Sequence, residues 1–177
     1  VTLTVTDNDG GTDEQTTTIE VSDEAIEFVG AVADPVTGSA GSHTVNIPAT
    51  VQAGDVMVLA LSWNSGTATG SDPAGWTRVR TQVGTGIATA LWTRTAQAGD
   101  AGDPVTVTTS AVVRGSLLLA AYRNATIAAA DTAIAGETLS QAAHTTPTVA
   151  GADAGSWVIS HWTDKTAATT AWTAPGG

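Results

Sequence analysis

The stretch DVMVLALSW at residues 55–63 is apolar on both faces of an extended chain. Successive side chains of a strand point to opposite sides, so a strand with one face in water alternates apolar and polar residues. This stretch does not alternate, which fits a strand in the middle of a sandwich, covered on both faces. Trp63 shares its face with Leu59 and Leu61, and we predict that it lies in the core.

The residues around this strand have the composition of an all-β protein. Thr, Ala, Gly and Val are the most frequent types, and the branched Cβ of Thr and Val packs well on a pleated sheet. Gly, Asn and Asp between the apolar runs supply the backbone conformations of tight turns. The Ala-rich stretch 128–135 is predicted to form a loop or a single turn. We therefore predict a two-sheet β-sandwich of jelly-roll-like topology, with strands at residues 26–33, 42–47, 55–63, 76–83, 87–95, 105–109, 115–122, 146–149 and 156–163.

The charge balance and the absence of cysteine narrow the functional classes. Seventeen acidic residues against six basic ones give a formal net charge of -11. Affinity for nucleic acid needs clustered basic side chains, and the arginines here are scattered, so no nucleic-acid partner is predicted. Zero cysteines exclude a disulfide framework and a thiolate zinc site. The most apolar run, 117–121, is far shorter than the ~20 residues that span a bilayer, so no membrane insertion is predicted.

The opening 23 residues, VTLTVTDNDGGTDEQTTTIEVSD, predict a β-hairpin with its turn at 7–11 and a second strand at 14–21. They resemble the final hairpin of an immunoglobulin-like domain of the polycystic-kidney-disease (PKD) type. That resemblance implies a partial Ig-like domain at 1–23, whose earlier strands lie outside this sequence. Because an isolated hairpin is marginally stable at best, we expect its sandwich partners to come from upstream chain or from another molecule.

The remainder, 24–177, is predicted to be one β-sandwich module. Two stretches, from Gly54 and from Gly155, each show a Gly-led strand, a polar loop and a Pro-Gly turn beside a Trp. This weak repeat predicts two equivalent strand-loop-strand units. A further strand is expected after the second turn, so the module is predicted to be truncated at its C-terminus.

The same module carries the segments AGDVMVLA, PAGWT, LWTRTA and GSLLLAAYR. With these segments it resembles a β-sandwich of actinobacterial and bacteriophage surface proteins. The resemblance implies an extracellular, cell-surface or virion-surface location, as part of a larger secreted protein. It supplies no catalytic or binding residues.

Two groups of residues are candidate metal ligands. Asp7, Asp9 and Asp13 cluster around the hairpin turn, and oxygen-rich turns of this kind bind calcium. An EF-hand-like pattern would need an oxygen ligand where Val5 stands, which favours a plain hairpin turn over a calcium site. The histidines lack the spacing of a zinc site and are predicted to lie on the surface or in turns; they are His43, His144 and His161.

The six tryptophans are the most informative candidates for binding. An indole face stacks on the C–H face of a sugar ring, but a core poor in Phe also needs tryptophan for its bulk. Trp63, Trp92 and Trp157 lie in apolar strands and are predicted to be core. The residues predicted to form an exposed platform follow a polar loop or flank a Pro-Gly turn: Trp76, Trp162 and Trp172. Hydroxyl contacts were expected from Asn64, Asp72, Arg78 or Asp164.

Three functional interpretations follow from these patterns. The first is a non-catalytic module of a secreted or surface protein, used for adhesion or for binding a polysaccharide or cell-surface glycan. The second is a structural spacer, phage tail component or extracellular filament subunit, joined to neighbouring copies by β-strand addition. The third is an accessory domain acting as an enzyme on polysaccharide, which the sequence supports least because it has no G-x-S-x-G motif and its acids cluster in turns.

Overall fold

A computed structural model describes residues 2–6, 12–16, 24–34, 38–136, 147–149 and 155–165. The protein is all-β, with a hairpin followed by seven antiparallel strands in two sheets. The hairpin consists of β1 (Thr2–Thr6) and β2 (Thr12–Thr16). The other strands are β3 (Glu27–Ala33), β4 (Ala40–Asn46), β5 (Val56–Trp63), β6 (Thr77–Gly84), β7 (Ile87–Thr95), β8 (Pro104–Val113) and β9 (Gly115–Arg123).

The sheet order confirms the β-sandwich and the predicted central position of the strand at residues 55–63. The larger sheet has five strands in the order β3-β9-β5-β7-β6, and the smaller sheet pairs β4 with β8. β5 is thus paired on both sides and lies in the middle of its sheet. The predicted hairpin is also present, with Thr6 opposite Thr12 at its closed end.

Seven of the predicted strands after the hairpin are present, with small shifts at their ends. The Ala-rich stretch contains a single 3-10 turn at Ala129–Asp131, as predicted. None of the described residues forms a helix long and apolar enough to cross a membrane.

Two predicted strands, 146–149 and 156–163, do not form in the described residues 147–149 and 155–165. The second lies beside β5 and β9, touching Ser62 and Tyr122. Both of those strands already have a partner on each side, so no free ladder position is open to a further strand there. The predicted repeat of two equivalent strand-loop-strand units is therefore wrong, because the first unit forms a strand and the second does not.

One face of the five-stranded sheet packs against the smaller sheet and forms the core. Leu59 of β5 lies opposite Trp92 of β7 and Leu119 of β9, and all three are fully buried. The smaller sheet contributes Val45 and Val107 to the same cluster. Burying an apolar side chain of this size stabilises the fold by about 1.5–3 kcal/mol, so this layer supplies much of the stability.

The opposite face of the five-stranded sheet is called the outer face below. It carries the alternate residues of β5, from Val56 to Ser62, and their neighbours on β7 and β9. Ser62 is buried, with 9% of its surface exposed. Residues 155–165 contact this face through His161 and Trp157. β5 is therefore covered on both sides, as its apolar sequence predicts.

A tetrapeptide, QAGD, occurs twice and forms the same turn twice, at 52–55 and 97–100. In each turn the Gln N–H donates to the Asp carboxylate, at 2.8 Å and 2.7 Å, and the Asp N–H donates to the Gln carbonyl. The glycines adopt φ of 96° and 95°, which a side chain disfavours. The turns are adjacent, since the Ala96 N–H donates to the Asp55 carbonyl.

Gly66 gives a test of the packing of the loop that follows β5. A Cβ at this position would lie 2.5 Å from the Gly84 carbonyl oxygen and 3.0 Å from the Gly86 nitrogen. Both atoms belong to backbone, which moves only if the β6–β7 turn shifts. We expect Gly66→Ala to lower the free energy of unfolding by about 1–3 kcal/mol, as overpacking does, measured by urea denaturation. Gly41→Ala is the control, because nothing lies within 4 Å of its added Cβ; equal urea midpoints for the two variants would contradict this packing.

Candidate functional site

The structure places some of the tryptophans in the core or on the surface differently from the predictions. Trp63 and Trp92 are buried in the core, as predicted. Trp76 is also buried, with 7% exposed, and belongs to the same cluster. The prediction of an exposed Trp76 is therefore wrong. The backbone N–H of Trp76 donates to the Pro73 carbonyl and closes the turn. Its indole packs in the core, where it cannot serve as a platform.

The other two tryptophans of the predicted platform have different outcomes. Trp162 is partly buried, and Trp172 lies outside the described residues. Trp157, predicted to be core, is 53% exposed. That prediction is wrong because Trp157 lies in an extended segment on the outer face and not in a strand of either sheet.

Trp157 belongs to an exposed aromatic group, which we call the aromatic cluster: Phe28, Tyr122 and Trp157. The Phe28 and Tyr122 rings are 5.7 Å apart between centroids and inclined by 58°. The Tyr122 and Trp157 rings are 6.4 Å apart and inclined by 82°. Phe28 is 51% exposed, whereas Tyr122 between them is buried. The cluster thus presents two half-exposed rings on either side of a buried one.

Strand pairing explains why the first two rings meet. Phe28 of β3 stands directly opposite Tyr122 of β9, and a β-bulge follows between Phe28 and Gly30. On its other side Tyr122 is opposite Val56 of β5, which is buried. Burial raises the pKa of the Tyr122 hydroxyl, so the ring is uncharged at neutral pH. Phe28 and Tyr122 are therefore held by strand pairing, and the rings of the cluster carry no charge.

An ion pair fixes the end of β9 next to Tyr122. The Arg123 guanidinium donates to both carboxylate oxygens of Asp55, each at 2.9 Å, and lies 3.8 Å from Glu27. Burial pushes the pKa of the Asp55 carboxyl upward. The Arg123 hydrogen bonds, the Gln52 N–H and the Arg123 charge outweigh that effect and leave the pKa below its usual range. The guanidinium is thus engaged in holding the strand.

Two clefts open at this end of the sheet and share Gly54, Ala125 and Thr126 in their walls. The first, of about 420 Å³, reaches Val56, the residue opposite Tyr122. The second, of about 380 Å³, is lined by Asp55 and Arg123, which bind each other. The Asp55 carboxylate in the wall of the second cleft is therefore engaged in an ion pair within the protein.

A hydrogen-bonded group joins the outer face to residues 155–165. Ser62 Oγ lies 2.9 Å from Thr89 Oγ1 and 3.2 Å from His161 Nε2. Both hydroxyl residues are buried, and burial lowers the pKa of His161. Sequence reasoning placed His161 in a surface or turn position, and its contact with Ser62 was missed because 99 residues separate the two.

The remaining candidate ligands are placed as follows. His43 is 3% exposed, so its predicted surface position is wrong: it lies on β4 on the same face as Val45, which packs in the core. Its Nδ1 is 3.7 Å from Asp34. Asp7, Asp9 and His144 lie outside the described residues, and Asp13 is paired with Val5 in the hairpin. No group of three metal-ligating side chains occurs in the described part of the chain, and the calcium site stays a prediction.

Three residues expected to bind sugar hydroxyls are engaged within the protein. The Asn64 side-chain oxygen accepts from the Arg114 N–H at 2.8 Å. The Asp72 carboxylate accepts from the Trp92 indole N–H at 2.6 Å and from Arg78. The indole hydrogen bond and then the guanidinium lower the pKa of Asp72. Since Arg78 also lies 5.1 Å above the Trp92 ring, these side chains hold the core tryptophan.

No protein-family model, curated protein or solved structure matches this chain. The resemblances to a PKD-type hairpin and to a surface-protein module therefore stay predictions.

Proposed function

We propose that this chain is a non-catalytic carbohydrate-binding module that holds neutral polysaccharide on the aromatic cluster. The observation behind this proposal is that Phe28, Tyr122 and Trp157 meet on the outer face with two rings about half exposed. The chain has one Phe and one Tyr, and both belong to this cluster. Such a module belongs to a secreted or surface protein, because extracellular polysaccharide is its partner.

Aromatic side chains suit sugars because one ring face is apolar while its surroundings stay wet. The C–H face of a pyranose packs on such a ring, and large flat side chains dominate the energetics of small-ligand contacts. Exposed apolar surface of this kind is otherwise unfavourable for a soluble protein. Binding a sugar would remove the Phe28 and Trp157 rings from water without requiring a deep pocket.

The inclination of the rings favours one form of polysaccharide over another. Neighbouring rings are tilted by 58° and 82°, so the three do not form a flat strip. A flat strip would suit the surface of a crystalline polymer, whereas inclined rings fit a single chain that curves or twists. We therefore expect soluble chains to bind better than crystalline ones.

Charge favours neutral glycans. The chain has a net charge of -11, and the cluster itself is uncharged. Long-range repulsion from the protein slows the approach of a polyanion and weakens its binding at low ionic strength. We therefore expect a uronic-acid polymer such as alginate to bind more weakly than a neutral polymer.

Affinity electrophoresis in gels containing a soluble β-glucan, a galactomannan, starch or alginate tests the proposal. We expect retardation by at least one neutral polymer, and Trp157→Ala to weaken binding about tenfold, equivalent to about 1.4 kcal/mol. Val158→Ala is the matched control, because Val158 is 69% exposed in the same segment and carries no ring. Wild-type affinity in Trp157→Ala, or no retardation by any neutral polymer, would contradict the proposal.

A second candidate, a structural unit joined by strand addition, is favoured by one feature of the smaller sheet. β4 pairs with β8 along one edge, and the described residues place no strand along the other. An open edge accepts a strand from a neighbouring molecule through main-chain hydrogen bonds. Concentration-dependent assembly in light scattering, without polysaccharide binding, would favour this candidate over the first.

A further inference from the structure

Residues 155–165, called the strap below, cross the outer face in an extended conformation. Trp157 touches Tyr122 of β9, and His161 reaches Ser62 of β5. Lys165 lies over the β6–β7 turn, with Nζ 2.7 Å from the place a Cβ on Gly86 would take. The strap thus spans the sheet from the aromatic cluster to the opposite edge.

Burial along the strap shows where it is attached. Residues 155–160 and 163–165 are exposed, whereas His161 and Trp162 are partly buried. Val158 and Ile159 are 69% and 47% exposed, so hydrophobic burial of these side chains does little to hold the strap. The strap is therefore attached around His161 and Trp162, and the contact of His161 with Ser62 joins it to β5.

We infer that His161 is a positioning residue: its hydrogen bond to Ser62 docks the strap, places Trp157 beside Tyr122, and makes assembly of the aromatic cluster depend on pH. The link from the aromatic cluster to polysaccharide rests on the proposed function. The docking of the strap does not.

The hydrogen-bonding group works with a neutral imidazole. In the assignment that suits a neutral imidazole, the Ser62 hydroxyl donates a hydrogen bond to His161 Nε2, and its oxygen accepts one from the Thr89 hydroxyl. This arrangement is an assignment of hydrogens that satisfies all three polar atoms. Ser62 and Thr89 are buried, so a charged imidazolium here would lose solvation without gaining a partner of opposite charge from these two residues.

Strand pairing shows which residues of the described sheet flank the contact between His161 and Ser62. On the outer face, Ser62 is flanked by Thr89 on β7 and Ser116 on β9, and Thr89 by Gln82 on β6; none of these ionises. Arg80 of β6 is a cation, and it donates to the Thr132 carbonyl. The strap itself carries Asp164 and Lys165. The strands facing His161 therefore supply no carboxylate.

The direction of the pH effect follows from burial. Burial lowers the pKa of His161 in the docked strap, and the released strap has the ordinary value, about 6.5. The docked strap binds fewer protons than the released strap, so docking has its full strength at pH values above the ordinary pKa of histidine. Docking weakens as the pH falls from that value towards the lowered pKa of His161 in the docked strap. Each unit by which the pKa is lowered weakens docking roughly tenfold at low pH.

The strap can be followed without any ligand, by NMR between about pH 5 and pH 8, the range in which histidine titrates. We expect the Trp157 indole signal and the Val158 and Ile159 amide signals to move towards random-coil positions as pH falls. In His161→Gln the amide still reaches Ser62 but cannot ionise, so the signals should stay docked and lose their pH dependence. Strap signals that do not change with pH in the wild type would overturn the inference.

Ser62 of β5 stands opposite Ser116 of β9, so the variants Ser62→Ala and Ser116→Ala are matched. Ser62→Ala removes the partner of His161 and should release the strap throughout the pH range. Ser116→Ala, at an exposed position, should leave it docked. A strap that stays docked in Ser62→Ala, or a His161→Gln variant that titrates like the wild type, would also overturn the inference. A pH-dependent strap in a protein that binds no neutral polysaccharide would support the positioning role and reject the proposed function instead.

Discussion

Trp92→Ala is expected to lower the free energy of unfolding by about 3–5 kcal/mol, the range for truncating a large buried aromatic side chain. Trp92 is fully buried and lies opposite Leu59 in the middle of the larger sheet. Its indole N–H also donates to Asp72, and the Arg78 guanidinium lies above its ring. Alanine would leave a cavity between the sheets and remove one of the two hydrogen-bond partners of Asp72. Urea denaturation followed by circular dichroism measures the effect.

Trp157→Ala is the control for that experiment, because it removes the same side chain from a half-exposed position. A surface substitution of this kind changes stability by about 0.5 kcal/mol. A Trp92→Ala variant no less stable than Trp157→Ala would contradict the assignment of Trp92 to the core. The Asp72 carboxyl gives a second readout, since loss of the indole hydrogen bond should raise its pKa towards the ordinary value.

Arg123→Met is expected to cause the other large loss of stability at neutral pH. Asp55 is 2% exposed and binds Arg123 through both oxygens. Removing one partner of such a pair leaves a buried charge without compensation, which costs more than the pair itself contributes. Met preserves most of the apolar stem of the side chain, so the effect reports on the lost charge and hydrogen bonds. Arg114→Met, at an exposed arginine, is the control.

The pH dependence distinguishes a lost ion pair from a packing defect. In the wild type the pKa of Asp55 lies below the ordinary value of an aspartate, so the pair stabilises the fold above that ordinary value and this stability is lost as pH falls through the lowered pKa. In Arg123→Met burial remains and should raise the pKa above the ordinary value, so the variant gains stability as pH falls. The two proteins should therefore converge in stability on going from pH 7 to about pH 4. A constant difference would contradict the proposed role.

The strands and most of the core could be predicted because alternation is a local property. The doubly apolar stretch at 55–63 predicted a central strand, and β5 is central. The same rule would have placed His43 inward, since it shares a face with Val45 and Ile47, both buried. His43 was instead judged by residue type, and polar residue types do not override parity within a strand.

Positions outside the ladders could not be predicted in this way. Residues 156–163 have the composition of a strand, but strand formation also needs an edge with free N–H and C=O groups, and sequence does not show which edges are taken. Trp76 lies just before β6, where the parity of the strand no longer determines orientation. The aromatic cluster joins Phe28, Tyr122 and Trp157 across the pairing of β3 with β9. Because that pairing is not visible in the sequence, the cluster was missed.

The most direct test of polysaccharide binding is an NMR titration of the tryptophan indole N–H signals with a soluble neutral oligosaccharide from the polymer that retards the protein most. Single Trp→Phe variants assign the signals. The Trp157 signal is expected to shift as sugar is added, while those of the buried Trp63, Trp76 and Trp92 stay in place. A titration that leaves the Trp157 signal unchanged would contradict binding at the aromatic cluster.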